Sequence, residues 1–121
     1  MKKANLEGSL ILVAPIDELD ADVHHEVAGE IERVYSLPCK ILSIASDISF
    51  AYDSHRDQFN STMILKELES HAPANAVKVI ALTASDLFIP ILTYVYGEAQ
   101  LGGRCAIVSS YRLKEGSPGL D

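Results

Sequence analysis

The chain of 121 residues contains 48% hydrophobic and 22% charged residues, which suits one soluble globular domain and excludes intrinsic disorder. Seventeen acidic residues against ten basic ones give a formal net charge of −7. This argues against nucleic-acid binding, because a phosphate backbone is bound by clustered Lys and Arg side chains and the ten in this chain are scattered. No signal peptide and no apolar run of about 18 residues is present, so we expect a cytoplasmic protein without a membrane span.

The first part of the chain predicts a strand, a long helix and a second strand. Residues 10–14 form a short apolar run typical of a buried strand. Over residues 17–36 the apolar positions recur every three or four residues, which predicts an amphipathic helix, with Asp17 or Asp20 as its cap. Residues 39–44 predict the second strand. The buried stripe of the helix is expected to comprise Leu19, Val23, Val27, Ile31 and Val34.

The middle of the chain predicts a second helix. A polar loop over residues 45–54 leads to a helix over residues 55–70, which Asp53 or Ser54 is expected to cap. Its apolar stripe is expected to comprise Phe59, Met63 and Leu68, with Ile64 or Leu65 beside them.

The last part of the chain predicts three strands. They lie over residues 77–83, 93–99 and 104–110, with a turn over residues 86–90 and a Gly-Gly hairpin at 102–103. We therefore expect one domain over residues 1–113 and a linker-like tail over residues 114–121.

The order β-α-β-α-β-β-β predicts the fold class. Strands separated by helices favour right-handed crossovers into a parallel sheet, and the last two strands add an antiparallel edge. We predict an α/β fold (α+β in some schemes), with a mixed, mostly parallel, twisted sheet of about five strands. Its two long helices pack on one face or on both. Cys39 and Cys105 lie in strand-like stretches, which favours two buried free thiols and leaves one disulfide open.

The four histidines do not form a recognisable metal motif. His25-Glu26 begins an HExxH pattern, but Gly29 stands where the second histidine ligand is required. His24 and His25 fall among polar helix positions, which favours two solvated side chains. The other two, His55 and His71, lie near opposite ends of the predicted second helix. We predict no catalytic residue and no metal ligand in this chain.

Two further segments have candidate roles. Residues 52–58 are dense in hydrogen-bonding groups, which a capping cluster with an Arg-Asp pair explains as well as a functional site does. Residues 93–99 form a candidate edge strand with Tyr94 and Tyr96 on one face, and an exposed edge binds an extended peptide by main-chain pairing. An ordinary paired strand explains the same pattern. The candidate substrate-binding residues are Thr93, Tyr94, Val95, Tyr96, Gly97, Glu98 and Ala99.

Two separated motifs resemble a known family. The segment FAYDSHRDQFNSTMIL at residues 50–65 resembles the AYDxxRxQYxSxxIL segment of the archaemetzincins, which are zinc metalloproteases of the metzincin clan. LTASDLFIP at 82–90, YVYGEAQLGGR at 94–104, AIVS at 106–109 and YRL at 111–113 resemble the second signature of that family. The match runs from about residue 10 to residue 113.

The resemblance implies the upper, N-terminal subdomain of a metzincin, in which a peptide substrate lies antiparallel to the strand over residues 93–99. It also implies zinc for a full-length family member, held by an HExxHxxGxxH motif after the Tyr-Arg-Leu segment. The 121 residues contain no such motif, so this chain is expected to be a truncated half that does not hydrolyse peptides alone. The face left by the missing half is expected to favour a homodimer.

Two other functions are consistent with the sequence. The first is a stand-alone peptide-binding or interaction module that uses the edge strand. The second is a generic small α/β ligand-binding domain, which predicts a pocket at the carboxyl ends of the strands and no open edge at residues 93–99.

Overall fold

A computed structural model of the chain describes residues 8–17 and 21–115. The strands are β1 (Leu10–Pro15), β2 (Cys39–Ile41), β3 (Tyr52–Asp53), β4 (Gln58–Asn60), β5 (Ala76–Thr83), β6 (Leu87–Phe88), β7 (Gly97–Ala99) and β8 (Cys105–Ser109). The helices are α1 (Ala21–Tyr35), α2 (Ser61–His71) and α3 (Tyr111–Glu115), with a 3₁₀ turn at Ser49–Ala51. The tail beyond residue 115 and the cap candidate Asp20 lie outside the described residues.

The main sheet has five strands in the order β2-β1-β5-β8-β7. Strands β2, β1, β5 and β8 are parallel, and β7 runs antiparallel to β8. The central strands β1 and β5 are apolar because both faces of a parallel sheet are covered by helices. The predicted mixed, mostly parallel α/β fold is therefore confirmed, with a third helix, α3, that the sequence did not predict.

The two long helices pack on opposite faces of this sheet. From α2, Ile64, Leu65 and Leu68 join one core cluster with sheet residues such as Val79 and Ile107. From α1, Val27, Ala28 and Ile31 join a second cluster with Val13 and Leu82. Two members of the predicted α1 stripe, Leu19 and the side chain of Val23, lie outside the described part, and a third, Val34, is exposed.

The second helix begins later than predicted. Instead of starting at residue 55 with Asp53 or Ser54 as its cap, α2 starts at Ser61, and the side chain of Asn60 accepts a hydrogen bond from the Met63 backbone N–H. The carboxylate of Asp53 accepts from the backbone N–H groups of His55 and Arg56, closing a turn between β3 and β4.

Residues 52–53 and 58–60 therefore form two strands of a second sheet, which has three short strands in the order β3-β4-β6. In β4, Phe59 pairs with Leu87 of β6, so the predicted turn over residues 86–90 contains a strand. The predicted stripe of the second helix is wrong at two positions, because Phe59 precedes α2 and Met63 is exposed.

One histidine is buried rather than solvated. His24 lies one helical turn before Ala28, on the face of α1 that packs against the sheet, and its side chain is buried. Within the described ranges its Nε2 atom has no hydrogen-bond partner. His25 is exposed, as the sequence predicts. Among the described residues, no helix has the length and apolarity needed to cross a membrane.

The two cysteines are free thiols in separate parts of the main sheet. Cys39 is in edge strand β2 and is only partly buried, whereas Cys105 is buried in β8. Three strand spacings separate β2 from β8, about 14 Å at the usual spacing. A disulfide needs Cα atoms within about 7 Å, so the fold excludes a bond between these two residues within one chain.

We expect the two thiols to alkylate at very different rates. Burial and a hydrogen bond to Glu69 raise the pKa of Cys105 to about 11, so only about one molecule in a thousand is a thiolate at pH 8. Iodoacetamide at pH 8 should modify Cys39 at least about tenfold faster than Cys105, as peptide mass mapping would show. Because the pKa is raised, the Cys105 rate should climb with pH up to about 11. Equal native rates, with both thiols labelled in denaturant, would contradict this burial.

Candidate functional site

The candidate site is the free edge of the main sheet along β7. This strand is the last in the sheet order. Ser109 N–H donates to the Tyr96 carbonyl, and Gln100 N–H donates to the Cys105 carbonyl. Because hydrogen-bonded pairs alternate along antiparallel strands, the backbone N–H and C=O groups of Gly97 and Ala99 point away from β8. These groups are available to pair with an added strand.

The open edge is shorter than the predicted strand over residues 93–99. Ahead of β7, the Val95 N–H donates to the Leu87 carbonyl at 2.9 Å, and an isolated antiparallel bridge joins these two residues. Strand β6 therefore occupies the outer side of the chain at Val95. The pairing surface of the candidate site is confined to Gly97–Ala99, with the small sheet closing one end.

An arginine from the first motif holds the segment that leads into β7. The Arg56 guanidinium donates to the carbonyl oxygens of Leu92 at 2.9 Å and Pro90 at 3.1 Å. It also lies 4.1 Å from the centre of the Phe88 ring. The predicted Arg-Asp pair within residues 52–58 is thus not the role of Arg56, since this side chain binds backbone more than 30 residues away.

A buried glutamine connects the same segment to an ion pair. Gln58 Nε2 donates to Thr93 O at 2.9 Å and to Asp86 Oδ2 at 3.1 Å. The Asp86 carboxylate also accepts two hydrogen bonds from Arg112, at 3.0 and 2.7 Å. Since Gln58 is only 5% exposed, these bonds form in a partly desolvated environment and fix Thr93 relative to α3.

The side chain of Glu98 is turned toward the start of α2. Thr62 Oγ1 lies 2.9 Å from Glu98 Oε2 and 3.0 Å from Oε1, and Ser61 Oγ also donates to this carboxylate. A carboxylate is favoured at a helix N-terminus by the helix dipole and its unpaired N–H groups. Glu98 therefore anchors β7 to the helix and leaves the backbone edge of the strand uncovered.

Aromatic rings surround Arg112 beside the edge. The guanidinium carbon lies 4.2 Å from the centre of the Tyr94 ring and 5.6 Å from that of Tyr111. The Tyr94 and Tyr96 rings meet edge to face at 5.6 Å, as expected if they share one face. The side-chain hydrogen bond that Tyr96 shares with Tyr94 raises the pKa of Tyr96. These contacts fix the direction in which the chain enters β7.

A groove of about 870 Å³ lies beside the β7–β8 hairpin. It is lined by one side of α2, by the start of β5 and by residues 98–104. The groove is thus at the opposite end of β5 from its carboxyl terminus. At that carboxyl end, Asp17 Oδ2 accepts hydrogen bonds from Thr83 Oγ1 and the Ala84 N–H. The Asp17 carboxylate thus joins the carboxyl ends of β1 and β5, which is where a generic α/β domain would bind its ligand.

The residues present do not fit a zinc centre. A catalytic zinc needs three protein ligands and a bound water. No group of three His, Cys, Asp or Glu side chains suited to a metal ion occurs in residues 8–17 and 24–113, whose side chains the structure describes. That part of the chain includes all four histidines and both cysteines of the sequence. The histidines lie apart, at His24 and His25 on α1, at His55 in the β3–β4 turn and at His71 ending α2.

Comparison with known proteins gives a consistent family. The chain is 33% identical over 107 residues to the archaemetzincin of Haloarcula marismortui, and the aligned region covers 88% of this chain and 61% of that protein. It is 32% identical over 110 residues to the archaemetzincin of Methanocaldococcus jannaschii, covering 91% and 59%. The crystal structure of archaemetzincin from Archaeoglobus fulgidus superposes with a TM-score of 0.72 at 28% identity, covering 92% of this chain and 66% of that one.

The chain thus spans about three fifths of the length of the curated relatives it matches. No protein-family model matches it.

Proposed function

The chain belongs to the archaemetzincin family over the region that it shares with these relatives, and from that premise we propose that it forms the substrate-cleft wall of a zinc-dependent metalloprotease. In this proposal a peptide in extended conformation pairs with the outward backbone groups of Gly97 and Ala99. The observation that carries the proposal is the open sheet edge at β7. Side chains of the first motif bind the segment that leads into this strand and so fix its position.

The chemistry of the described residues supports binding rather than cleavage. Peptide hydrolysis by this family requires zinc, and the described residues offer no ligand set for it. We therefore propose that these 121 residues bind peptide and do not hydrolyse it by themselves. The same edge also suits a module that binds peptides and never cleaves them. Both readings predict the same contact along β7.

A pair of variants at Ala99 tests this proposal. The probe is an equimolar mixture of acetylated and amidated random hexapeptides, with binding followed by calorimetry. Ala99→Pro removes the outward N–H, and proline is tolerated at the open side of an edge strand, whereas Ala99→Val retains the N–H and serves as the matched control. We expect the proline variant to bind at least about tenfold more weakly, since main-chain pairing supplies the affinity in β-augmentation. The valine variant should bind like the original chain.

Either of two results would overturn the proposal. One is that the mixture does not bind the original chain at millimolar concentration. The other is that both Ala99 variants bind as the original does, which would place the peptide elsewhere. Hydrolysis of the mixture by the zinc-supplemented chain, measured by mass spectrometry, would refute the non-catalytic part alone.

A further inference from the structure

The groove beside the β7–β8 hairpin continues from the open edge. Its wall on one side is α2, through Thr62, Lys66 and Glu69, and on the other side is the hairpin, through residues 98–104. Thr62 contacts the Glu98 carboxylate, and Lys66 follows Thr62 by one helical turn on the same side of α2. An occupant of the edge near Ala99 therefore lies next to the groove.

The charge of this groove is opposite to that of the whole chain. The chain carries a formal charge of −7, yet the groove is lined by the three basic residues Lys66, Lys78 and Arg104 and only two acidic ones, Glu69 and Glu98. Both acids are already bound.

Arg104 donates to Glu69 at 3.2 Å and lowers the pKa of that carboxyl group. Hydroxyl groups of α2 bind Glu98. The two lysines, by contrast, form no ion pair within 4 Å among the residues that the structure describes. The groove therefore presents excess positive charge.

Strand geometry directs particular peptide side chains toward the α2 wall of the groove, where Lys66 lies. Residues directly opposite each other in an antiparallel pair lie on the same face of the sheet. Glu98 is opposite Ile107 of β8, and Ile107 is buried on the α2 face. Peptide residues opposite Glu98 and Gln100 therefore project toward α2. In an antiparallel peptide the residue opposite Gln100 comes first, so it belongs to the N-terminal half.

We propose that the groove is a subsite for an acidic side chain in the N-terminal half of the bound peptide, recognised by Lys66, with Lys78, in β5 on the other face of the sheet, adding positive charge to the groove. This inference rests on the proposed function, because it needs a peptide paired with β7. It adds a preference in substrate charge to a peptide that runs antiparallel to β7. A basic side chain at the same place would meet the Lys66 ammonium group and is disfavoured.

Three peptides test the subsite. The first, Ac-Ala-Glu-Ala-Val-Thr-Val-NH2, has its acid in the N-terminal half, and the second replaces this Glu by Gln. The third, Ac-Val-Thr-Val-Ala-Glu-Ala-NH2, has the composition of the first in reverse order. Calorimetry at low salt should show the first binding about threefold to tenfold more tightly than the other two, the range for one or two exposed ion pairs. The preference should shrink in 0.5 M salt because screening weakens exposed charge pairs.

Charge-neutral lysine variants complete the test. The double variant K66Q/K78Q should lose the preference and still bind the Gln peptide as the original chain does. Lys40, exposed in β2 at the opposite edge of the sheet, supplies the matched control K40Q, which should retain the preference.

Equal affinity for the Glu and Gln peptides, or a preference that survives in K66Q/K78Q, would overturn the subsite and leave peptide binding intact. Failure of all three peptides to bind would overturn the proposed function and the subsite together.

Discussion

Replacing Gly97 by alanine is expected to displace β7 from the sheet and to abolish peptide pairing. A Cβ atom at this position would lie 2.5 Å from the Ile107 carbonyl oxygen and 3.3 Å from Val108 Cα. Both neighbours are backbone atoms of β8, so no side-chain rotation relieves the contact. We expect Gly97→Ala to lower the free energy of unfolding by about 1–3 kcal/mol, as overpacking does, and to weaken binding of the random hexapeptide mixture at least tenfold.

A second glycine provides the matched control for this substitution. A Cβ atom at Gly29, exposed on α1, meets nothing within 4 Å. Gly29→Ala should therefore raise the free energy of unfolding by up to about 1 kcal/mol, the difference in helix propensity, and leave peptide affinity unchanged. Urea denaturation of both variants measures the first quantity and calorimetry the second. If the Gly97→Ala chain has the same free energy of unfolding and the same peptide affinity as the original, the close packing of β7 on β8 is contradicted.

Removing the Asp86 carboxylate is expected to give the largest loss of stability outside the apolar core. This carboxylate accepts two hydrogen bonds from Arg112 and one from Gln58, and its side chain is only 12% exposed. Asp86→Ala leaves a partly buried guanidinium and a buried amide without this partner. Together these should cost about 2–4 kcal/mol, measured as the shift in urea midpoint at constant m-value.

An exposed ion pair calibrates this prediction. Arg33 and Glu30 lie one turn apart on α1, with side chains 70% and 64% exposed. Glu30→Ala should change the free energy of unfolding by less than about 0.5 kcal/mol. If Asp86→Ala costs no more than Glu30→Ala, the network around Gln58 does not stabilise the approach to β7.

The main sheet was predictable because its signals are local. Residues 10–14 and 77–83 are apolar runs, and each forms a strand of the confirmed five-stranded sheet. The Gly-Gly hairpin is also present, with Gly102 at a φ of +75° that most other residues avoid. The helix over residues 17–36 corresponds to α1 because its four-residue spacing is strong enough to indicate the buried face. In each case the deciding pattern lies within one element.

The errors fall where distant residues decide the local structure. The helical pattern predicted from residue 55 fails because Phe59 pairs with Leu87, 28 positions away, and because Asp53 closes a turn rather than a helix. The strand predicted over residues 93–99 is shorter because Leu87 pairs with Val95. The prediction that His24 is solvated rests on its polar character and is wrong, because its spacing of four from Ala28 places it on the buried face of α1.

Arg56, Gln58 and Ser61 bind β7 and the residues that precede it, and these long-range contacts could not be predicted from composition. Its partners lie 27 to 37 positions along the chain. The sequence shows only that two motifs of one family occur in the expected order. It does not show that the two motifs contact each other. The structure supplies that reason, since side chains of the first motif bind backbone and carboxylate groups of the second.

The most direct test of the account is amide hydrogen exchange at Gly97 and Ala99, measured by NMR with and without saturating hexapeptide mixture. If a peptide pairs with the open edge, both amides become donors to it and their exchange should slow at least about tenfold. Amides of β2, at the opposite edge, should exchange at an unchanged rate. Binding that leaves Gly97 and Ala99 unprotected, or that protects residues 39–41 instead, would contradict a peptide-binding role for β7.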